Sequence, residues 1–279
     1  MPDLVRLEVS EHIALVTLDA PPVNAQSVQL VEELTRTMDE IGERPDVRVV
    51  VLTGAGKVFS AGADMKDRQR IARSEPGLAS AHFRRSREAY YSIMECAKPV
   101  IGAINGPAVG IGITLTLPMD IRLVAEGAKI GFVFARRGIV PEAASSWFLP
   151  RLVGISRAVE WCATGRVFSA EEGLAAGLFR SMHAPDDLLP AARALAAEIA
   201  ESAPVSVALS RKMMWQGLSM QVPMEAHRID SRGVYARGGS ADAKEGVVSF
   251  LEKRAPDYTD RVSTGMPEWF PWWEKAEWK

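Results

Sequence analysis

Two segments rich in glycine and alanine, Val58–Lys66 and Ile104–Gly112, are the parts of this chain best suited to chemistry. Each follows a β-branched apolar run, Val49–Leu52 in the first case and Pro99–Ile104 in the second. Small side chains at the point where a strand passes into a loop or helix leave backbone N–H groups unshielded, and such groups bind oxyanions. The two segments therefore predict an oxyanion site built from main-chain donors.

Other phosphate and metal motifs are incomplete. Thr53–Lys57 is similar to a nucleotide phosphate loop, but Val58 stands where Ser or Thr would hold magnesium. A dinucleotide fingerprint starting at Gly54 would need glycine where Phe59 stands, and one starting at Gly110 would need glycine where Leu115 stands. The four histidines and two cysteines lack metal-ligand spacing and any Cys-x-x-Cys pattern. We expect neither a metal site nor a disulfide framework.

Together, the two glycine-rich segments resemble the enoyl-CoA hydratase/isomerase (crotonase) superfamily. The resemblance extends weakly from the Val23-Asn24-Ala25 turn to the stretch from Ser169 to Leu178. It implies an α/β fold with a crotonase-like ββα spiral core and a helical C-terminal oligomerisation region. It also implies that the backbone amides of Ala63 and Ile111 form an oxyanion hole for a thioester carbonyl, which would stabilise an enolate.

The catalytic pair of similar hydratases is absent at the positions that the resemblance gives. Those enzymes carry two glutamates, and the matching positions in this chain hold Thr114 and Phe134. Neither side chain can act as an acid or base for water addition at neutral pH. Ordinary hydratase activity is therefore disfavoured.

Glu142 offers a different carboxylate. It follows Pro141 at the start of a predicted helix, where the helix dipole would favour the anion and an apolar pocket would oppose it. An acidic residue in a first helical turn is common on its own. The stretch Pro141–Trp147, however, looks like the segment that carries the single catalytic glutamate of peroxisomal-type Δ3,Δ2-enoyl-CoA isomerases. In that hypothesis Glu142 moves a proton from C2 to C4 of a 3-enoyl-CoA.

The resemblance also implies the carrier. Coenzyme A is expected as the thioester part of the substrate, and no permanently bound cofactor is expected. The residues that match the adenine and pantetheine pocket of similar proteins are Ala61, Asp64, Met65 and Lys66. Thr114 and Phe134 would line the acyl pocket, and His82 lies in a stretch that shapes this pocket in similar enzymes. A cluster of basic residues near the first motif would suit the phosphates of an anionic carrier: Lys57, Lys66, Arg68, Arg70 and Arg73. A solvated loop explains the same cluster equally well.

Periodicity predicts alternating strands and helices over residues 1–185, which we assign to the acyl-CoA-binding core. Val5–Val9 and Ile13–Leu18 predict a hairpin, and Ser27 can cap a helix whose apolar positions share one face. Further predicted helices are Ser80–Ala97, Gly112–Leu117 and Ala143–Leu152, between strands Val47–Thr53, Pro99–Ile104 and Asp120–Val124.

Residues 186–279 are predicted to be purely helical and to end in an aromatic tail: Trp269, Phe270, Trp272, Trp273 and Trp278. Such a density of aromatic side chains has to be covered, either by the chain's own core or by a neighbouring subunit. Similar proteins form trimers or dimers of trimers through this region. We therefore expect a homotrimer or hexamer.

Composition limits the partners. The formal net charge of −2 gives no general attraction for nucleic acid, and no apolar run approaches the roughly 20 residues that cross a bilayer. The 279 residues, 47% of them apolar, suffice for a large core, and we expect a soluble cytoplasmic enzyme. Three alternatives to an isomerase stay open: an enoyl-CoA hydratase, a crotonase-type thioester hydrolase and a non-catalytic acyl-CoA-binding protein.

Overall fold

The computed structural model of the chain describes residues 3–72 and 89–274. Two β-sheets lie within this part of the chain. Their strands are β1 (Val5–Ser10), β2 (Ile13–Leu18), β3 (Val49–Gly54), β4 (Val100–Ile104), β5 (Ala108–Val109), β6 (Ile121–Ala125), β7 (Lys129–Gly131), β8 (Val167–Ser169) and β9 (Ser181–His183). The larger sheet has the order β1-β2-β3-β4-β6-β9, and the smaller has the order β5-β7-β8.

The larger sheet is parallel apart from the hairpin between β1 and β2, in which Ser10 lies opposite Ile13. This hairpin confirms the one predicted from sequence. Every residue of β2, β3 and β4 is buried, so these central strands are covered on both faces. Continuous apolar runs such as Val49–Leu52 are typical of parallel strands in this position.

Helices connect the strands and fill the C-terminal part. They are α1 (Val28–Glu43), α2 (Met65–Ala72), α3 (residues 89–95), α4 (Ile111–Thr114), α5 (Ser145–Val153), α6 (Ile155–Thr164), α7 (Ala170–Ala175), α8 (Pro185–Ala200), α9 (Pro204–Gly217), α10 (Pro223–Gly238), α11 (Ala241–Glu252) and α12 (Val262–Gly265), with a 3₁₀ turn at Ala135–Arg137. Helix α1 begins as predicted, because the Ser27 side chain accepts a hydrogen bond from the Leu30 N–H. Its buried face is the predicted one: Leu30, Val31, Leu34, Met38 and Ile41.

Two predicted helices differ from the structure near the candidate site. Helix α4 is a single turn and starts at Ile111, one residue earlier than predicted, and it ends well before Leu117. Helix α5 starts at Ser145, so Glu142 precedes the helix and does not belong to its first turn. Ala143 and Ala144 have φ angles of 52° and 49°, which are incompatible with a right-handed helix. The predicted helix Ser80–Ala97 lies partly outside the described residues, which are helical over 89–95.

The chain divides into two compact units between Ile199 and Ala200. The first contains both sheets and helices α1 to α7, together with nearly all of α8. The second contains helices α9 to α12 and the described part of the aromatic tail, whose Trp278 lies outside the described residues. The last strand in the described part of the chain ends at His183, close to the domain boundary that the sequence analysis set after residue 185. The first compact unit extends further, to Ile199 near the end of α8. In the described part of the chain, no helix has the length and apolar character that crossing a bilayer requires.

Candidate active site

Two parallel β-bridges join the glycine-rich segments to each other and to the turn before α1. Ser60 pairs with Ala108, and Gln26 pairs with Ala63. In the first bridge the Ser60 N–H donates to the Pro107 carbonyl over 3.2 Å, and the Val109 N–H donates to the Ser60 carbonyl over 3.1 Å. The structure therefore brings together the two segments that the sequence analysis singled out.

The predicted donors, the amides of Ala63 and Ile111, lie at this junction. Gln26 bonds to the residues on either side of Ala63, accepting from the Asp64 N–H over 3.1 Å and donating to the Gly62 carbonyl over 2.8 Å. Ile111 is the first residue of α4, where helical N–H groups have no partner within the helix. Among the described residues, neither amide N–H is paired with a carbonyl. Both are thus available to an oxygen atom of a ligand.

Glycine is required where the two segments approach. Gly62 has a φ of +97°, and a Cβ atom at this position would lie 2.7 Å from the Val109 carbonyl oxygen and 3.9 Å from the Ile111 nitrogen. A Cβ atom at Gly112 would lie only 2.3 Å from the Ser60 carbonyl oxygen. The absence of side chains therefore lets the two backbones come close enough to share one ligand.

Asn24 and Ser60 fix the loops, and the sequence analysis did not identify these roles. Asn24 is 2% exposed, and its side chain accepts from the Ala20 N–H over 2.9 Å and donates to the Ala55 and Val58 carbonyls over 3.0 and 2.7 Å. The Ser60 hydroxyl donates to the Asn24 carbonyl over 2.7 Å and accepts from the Gly62 N–H over 3.3 Å. A buried asparagine in the Val23–Ala25 turn was the available signal, since buried amides need partners.

Glu142 contacts the helical turn that begins at Ile111, through a hydrogen bond with Thr114. The Thr114 hydroxyl donates a hydrogen bond of 2.5 Å to Oε1 of Glu142, and Thr114 lies on the same helical turn as Ile111. Thr114 is fully buried, and Glu142 is half-buried. The structure therefore places a carboxylate beside the turn that begins with a predicted oxyanion donor.

The backbone of Glu142 is held from its C-terminal side. Its carbonyl accepts from the Ser145 hydroxyl over 2.6 Å and from the Ser145 N–H over 3.0 Å. These bonds span Ala143 and Ala144, the two residues with left-handed φ angles. These hydrogen bonds hold the loop as a turn, and they fix the position of the Glu142 backbone from which its side chain extends.

The remaining predicted binding residues are distributed along both segments. Asp64 caps α2, because its Oδ1 accepts from the N–H groups of Lys66 and Asp67 over 2.8 and 3.1 Å. The side chains of Met65 and Lys66 are exposed, as is Ala61, whose N–H donates to the Val23 carbonyl over 3.0 Å.

Phe134 is 5% exposed, and its carbonyl accepts from the Ile139 N–H over 3.2 Å, three residues before Glu142. Its contact with an acyl chain stays a prediction. His82 and Arg73 lie outside the described residues, and the side chains of Arg68 and Arg70 do as well.

The carboxylate of Glu172 is hydrogen-bonded to other side chains. It accepts hydrogen bonds from the Arg166 guanidinium and, over 2.8 Å, from Nε1 of Trp161. The hydrogen bond from Arg166, followed by that from Trp161, lowers the pKa of Glu172 to about 2 despite partial desolvation. Such a carboxylate stays ionised and paired, so it is a poor proton carrier at neutral pH. Within the described residues, no three His, Cys, Asp or Glu side chains form a group that could hold a metal ion.

These features define a class. A parallel sheet that ends in two bridged glycine-rich loops, with helices at the C-terminal end, is the crotonase-like α/β fold. Residues 8–261 match the family described as enoyl-CoA hydratase/isomerase, and the chain therefore belongs to that family, which acts on coenzyme A thioesters. This membership confirms the fold class expected from the two motifs.

The alignments with individual relatives cover most of this chain and most of each relative. The chain is 40% identical over 242 residues to enoyl-CoA hydratase ACTT3 of Alternaria alternata, covering 86% of this chain and 80% of the relative. The crystal structure of enoyl-CoA hydratase from Bacillus anthracis has a TM-score of 0.87 and 32% identity, and the match covers 91% of this chain and 98% of that one. Pseudomonas aeruginosa DspI has a TM-score of 0.86 and 29% identity, with 92% and 97% covered.

The names of these relatives do not support the specific similarity to isomerases that the Pro141–Trp147 stretch suggested. ACTT3 and the Bacillus anthracis protein are both called hydratases. The family assignment thus stands, whereas the choice between hydration and isomerisation depends on the chemistry of the site.

Proposed function

We propose that this protein binds enoyl-CoA thioesters and shifts a double bond from C3–C4 to C2–C3, with Glu142 as the single proton carrier. The observation that carries the proposal is the hydrogen bond between Thr114 and Glu142, which sets one carboxylate beside the helix that begins at Ile111. At the two positions where similar hydratases carry glutamates, this chain has Thr114 and Phe134. A one-carboxylate reaction fits these residues better than a two-carboxylate reaction.

The mechanism uses the oxyanion site first. The N–H groups of Ala63 and Ile111 hold the thioester carbonyl oxygen, and Glu142 removes a proton from C2. Electrons of the C2–H bond move into the conjugated system, so negative charge develops on the carbonyl oxygen of a dienolate. One well-aimed donor to such an oxygen contributes about 3 kcal/mol of transition-state stabilisation. Glu142 then returns the same proton to C4, and no atom is gained or lost.

A hydratase is the second candidate, and the names of the relatives favour it over the isomerase. Addition of water to a 2-enoyl-CoA would use the same oxyanion site, with Glu142 activating water for attack at C3 and a proton delivered to C2. This reaction works best with a second acid or base. Phe134 cannot supply that group, and Thr114 has no useful acidity at neutral pH.

Coenzyme A is the carrier in either reaction, and the protein would hold it only as part of the substrate. We propose that Ala61, Asp64, Met65 and Lys66 contact the adenine and pantetheine, and that Thr114 and Phe134 line the acyl pocket. Lys66, the last residue of the first glycine-rich segment, is exposed, and its ammonium group would bind a phosphate of the carrier. A role in fatty-acid oxidation and a cytoplasmic location stay predictions.

We also propose that the protein assembles as a homotrimer or hexamer through its second unit. Helix α10 exposes Val234 and Tyr235, at 74% and 89%, and helix α11 exposes Phe250 and Leu251, at 80% and 72%. Adjacent exposed apolar side chains of this size mark interaction surfaces in other proteins.

The test follows the absorbance of the conjugated enoyl thioester with two substrates. With a 3-enoyl-CoA, an isomerase should raise the absorbance, and Glu142→Gln should lower the rate by at least about a hundredfold. Glu126→Gln is the matched control, because Glu126 is exposed in a turn after β6 and should leave the rate unchanged.

Each alternative predicts a different result. A fall in absorbance with 2-enoyl-CoA alone would establish the hydratase instead. Release of free coenzyme A would indicate a thioester hydrolase. Tight binding of acyl-CoA without any turnover would indicate a binding protein. Full activity of Glu142→Gln would overturn the assignment of the base.

A further inference from the structure

Thr114 links the candidate base Glu142 to the helical turn that carries the Ile111 amide. Its hydroxyl donates to Oε1 of Glu142, and its backbone belongs to the helical turn that starts at Ile111. Three residues of helix rise by about 4.5 Å along the axis, so the hydroxyl and the Ile111 amide have a nearly fixed separation. A side chain bonded to Thr114 is therefore located relative to the oxyanion donor.

The Glu142 carboxylate needs a contact that restrains its position. Its main chain is held by Ser145, but a glutamate side chain has three rotatable bonds that can move the carboxylate by several ångströms. A proton carrier that has to reach two carbons of one acyl chain gains from a carboxylate held in one arrangement. The bond from Thr114 supplies that restraint to one of its oxygens.

We propose that Thr114 is the positioning residue for Glu142: its hydroxyl aims the carboxylate at the acyl carbons next to the carbonyl that the oxyanion donors hold. This inference rests on the proposed role of Glu142. The Thr114 hydroxyl keeps its own proton, and the transferred proton passes from C2 to Glu142 and from Glu142 to C4. The position that carries a catalytic glutamate in similar hydratases would thus hold a positioning residue in this chain.

A purely structural role makes a different prediction. Thr114 is fully buried, so its methyl group and hydroxyl both contribute to packing. Valine keeps the shape and removes the hydroxyl, whereas serine keeps the hydroxyl and removes the methyl group. If packing alone matters, Thr114→Val should be the milder change. If the hydrogen bond positions the base, Thr114→Ser should be the milder change.

The experiment measures kcat and KM of both variants with a 3-enoyl-CoA, together with thermal unfolding. For Thr114→Val we expect kcat to fall by about ten- to a hundredfold while KM stays within about threefold, because ground-state binding of the thioester does not use this bond. Thr114→Ser should recover most of that kcat although it leaves a small cavity. Equal kcat for Thr114→Val and the unmodified protein, or a lower kcat for Thr114→Ser than for Thr114→Val, would overturn the proposal.

A second readout separates this proposal from the proposed function. Exchange of the C2 proton of a saturated acyl-CoA with D₂O, followed by NMR, requires proton removal but no complete isomerisation. If the unmodified protein hydrates and does not isomerise, the proposed function fails, and slower exchange in Thr114→Val than in Thr114→Ser still supports positioning. If the unmodified protein exchanges no proton, or if both variants exchange at its rate, the positioning role is wrong.

Discussion

Two buried amide side chains near the proposed oxyanion site differ in how fully they are hydrogen-bonded. The three hydrogen bonds of the Asn24 side chain to the backbone are 3.0 Å or shorter. Gln26 is 6% exposed, and its Nε2 only reaches the Ile111 carbonyl at 3.5 Å. Its Oε1 has no hydrogen-bond partner among the described residues. A buried acceptor without a partner costs about 1–3 kcal/mol.

Replacing Gln26 should therefore stabilise the protein. We expect Gln26→Met, which keeps the length of the side chain, to raise the free energy of unfolding by about 1 kcal/mol in urea denaturation. Asn24→Ala is the contrasting variant and should lower it by several kcal/mol, because it leaves buried groups unpaired and loses a residue suited to its φ of 50°. A loss of stability in Gln26→Met would mean that an ordered water bonds to Oε1.

At the scale of single residues, the sequence was informative where chemistry depends on the backbone. The small side chains of Val58–Lys66 and Ile104–Gly112 predicted an oxyanion site. The particular candidates Ala63, Ile111 and Glu142 came from the resemblance to the crotonase superfamily and stay predictions. The bond between Thr114 and Glu142 could not be predicted, because the two residues are 28 positions apart and the bond depends on a turn with left-handed alanines. From the sequence, Thr114 was assigned only to the lining of the acyl pocket, a role that stays part of the proposed function.

At the scale of elements, the apolar pattern predicted the strands β1, β2, β3, β4 and β6 well, but it missed the short strands β5, β7, β8 and β9. It also predicted the helix starts near the candidate site less well. Buried runs such as Val49–Leu52 leave little choice of structure. Helix α5 was predicted to begin at Ala143, because proline, here Pro141, is typical of a helix start. The structure keeps Ala143 and Ala144 out of the helix, and the turn they form carries Glu142 towards Thr114. Tertiary contacts thus override a local preference at the place where the candidate base is held.

The two glycine-rich segments pack so closely that no side chain fits at Gly112. Gly112→Ala would set a methyl group 2.3 Å from the Ser60 carbonyl oxygen, which is a backbone atom that cannot rotate away. We expect turnover to fall by at least about tenfold and stability to fall by about 1–3 kcal/mol, as in other overpacked sites. Enoyl-CoA assays and thermal unfolding measure both effects.

Gly42→Ala in helix α1 is the matched control. A Cβ atom there meets nothing within 4 Å, and alanine is the better helix former by about 1 kcal/mol. This variant should keep full turnover and gain stability. Equal behaviour of the two variants would show that the loops separate easily and do not define the oxyanion site.

At the scale of the whole molecule, self-association should depend on the second unit. We expect light scattering to give a mass of three or six chains for the unmodified protein. Tyr235→Lys combined with Phe250→Lys should give smaller species, since both side chains are at least 80% exposed in the single chain. Ile155→Lys changes an apolar residue of α6 that is 65% exposed, and it should leave the mass unchanged. A monomeric unmodified protein would contradict the prediction.

The proposed oxyanion site depends on contacts between distant parts of the sequence. The bridges join Gln26 to Ala63 and Ser60 to Ala108, and the contact between Gln26 and Ile111 spans 85 positions. Closing such long loops is entropically unfavourable until the strands between them have paired, so non-local contacts of this kind form slowly. We therefore expect a partly refolded chain to recover helix content before it recovers substrate binding.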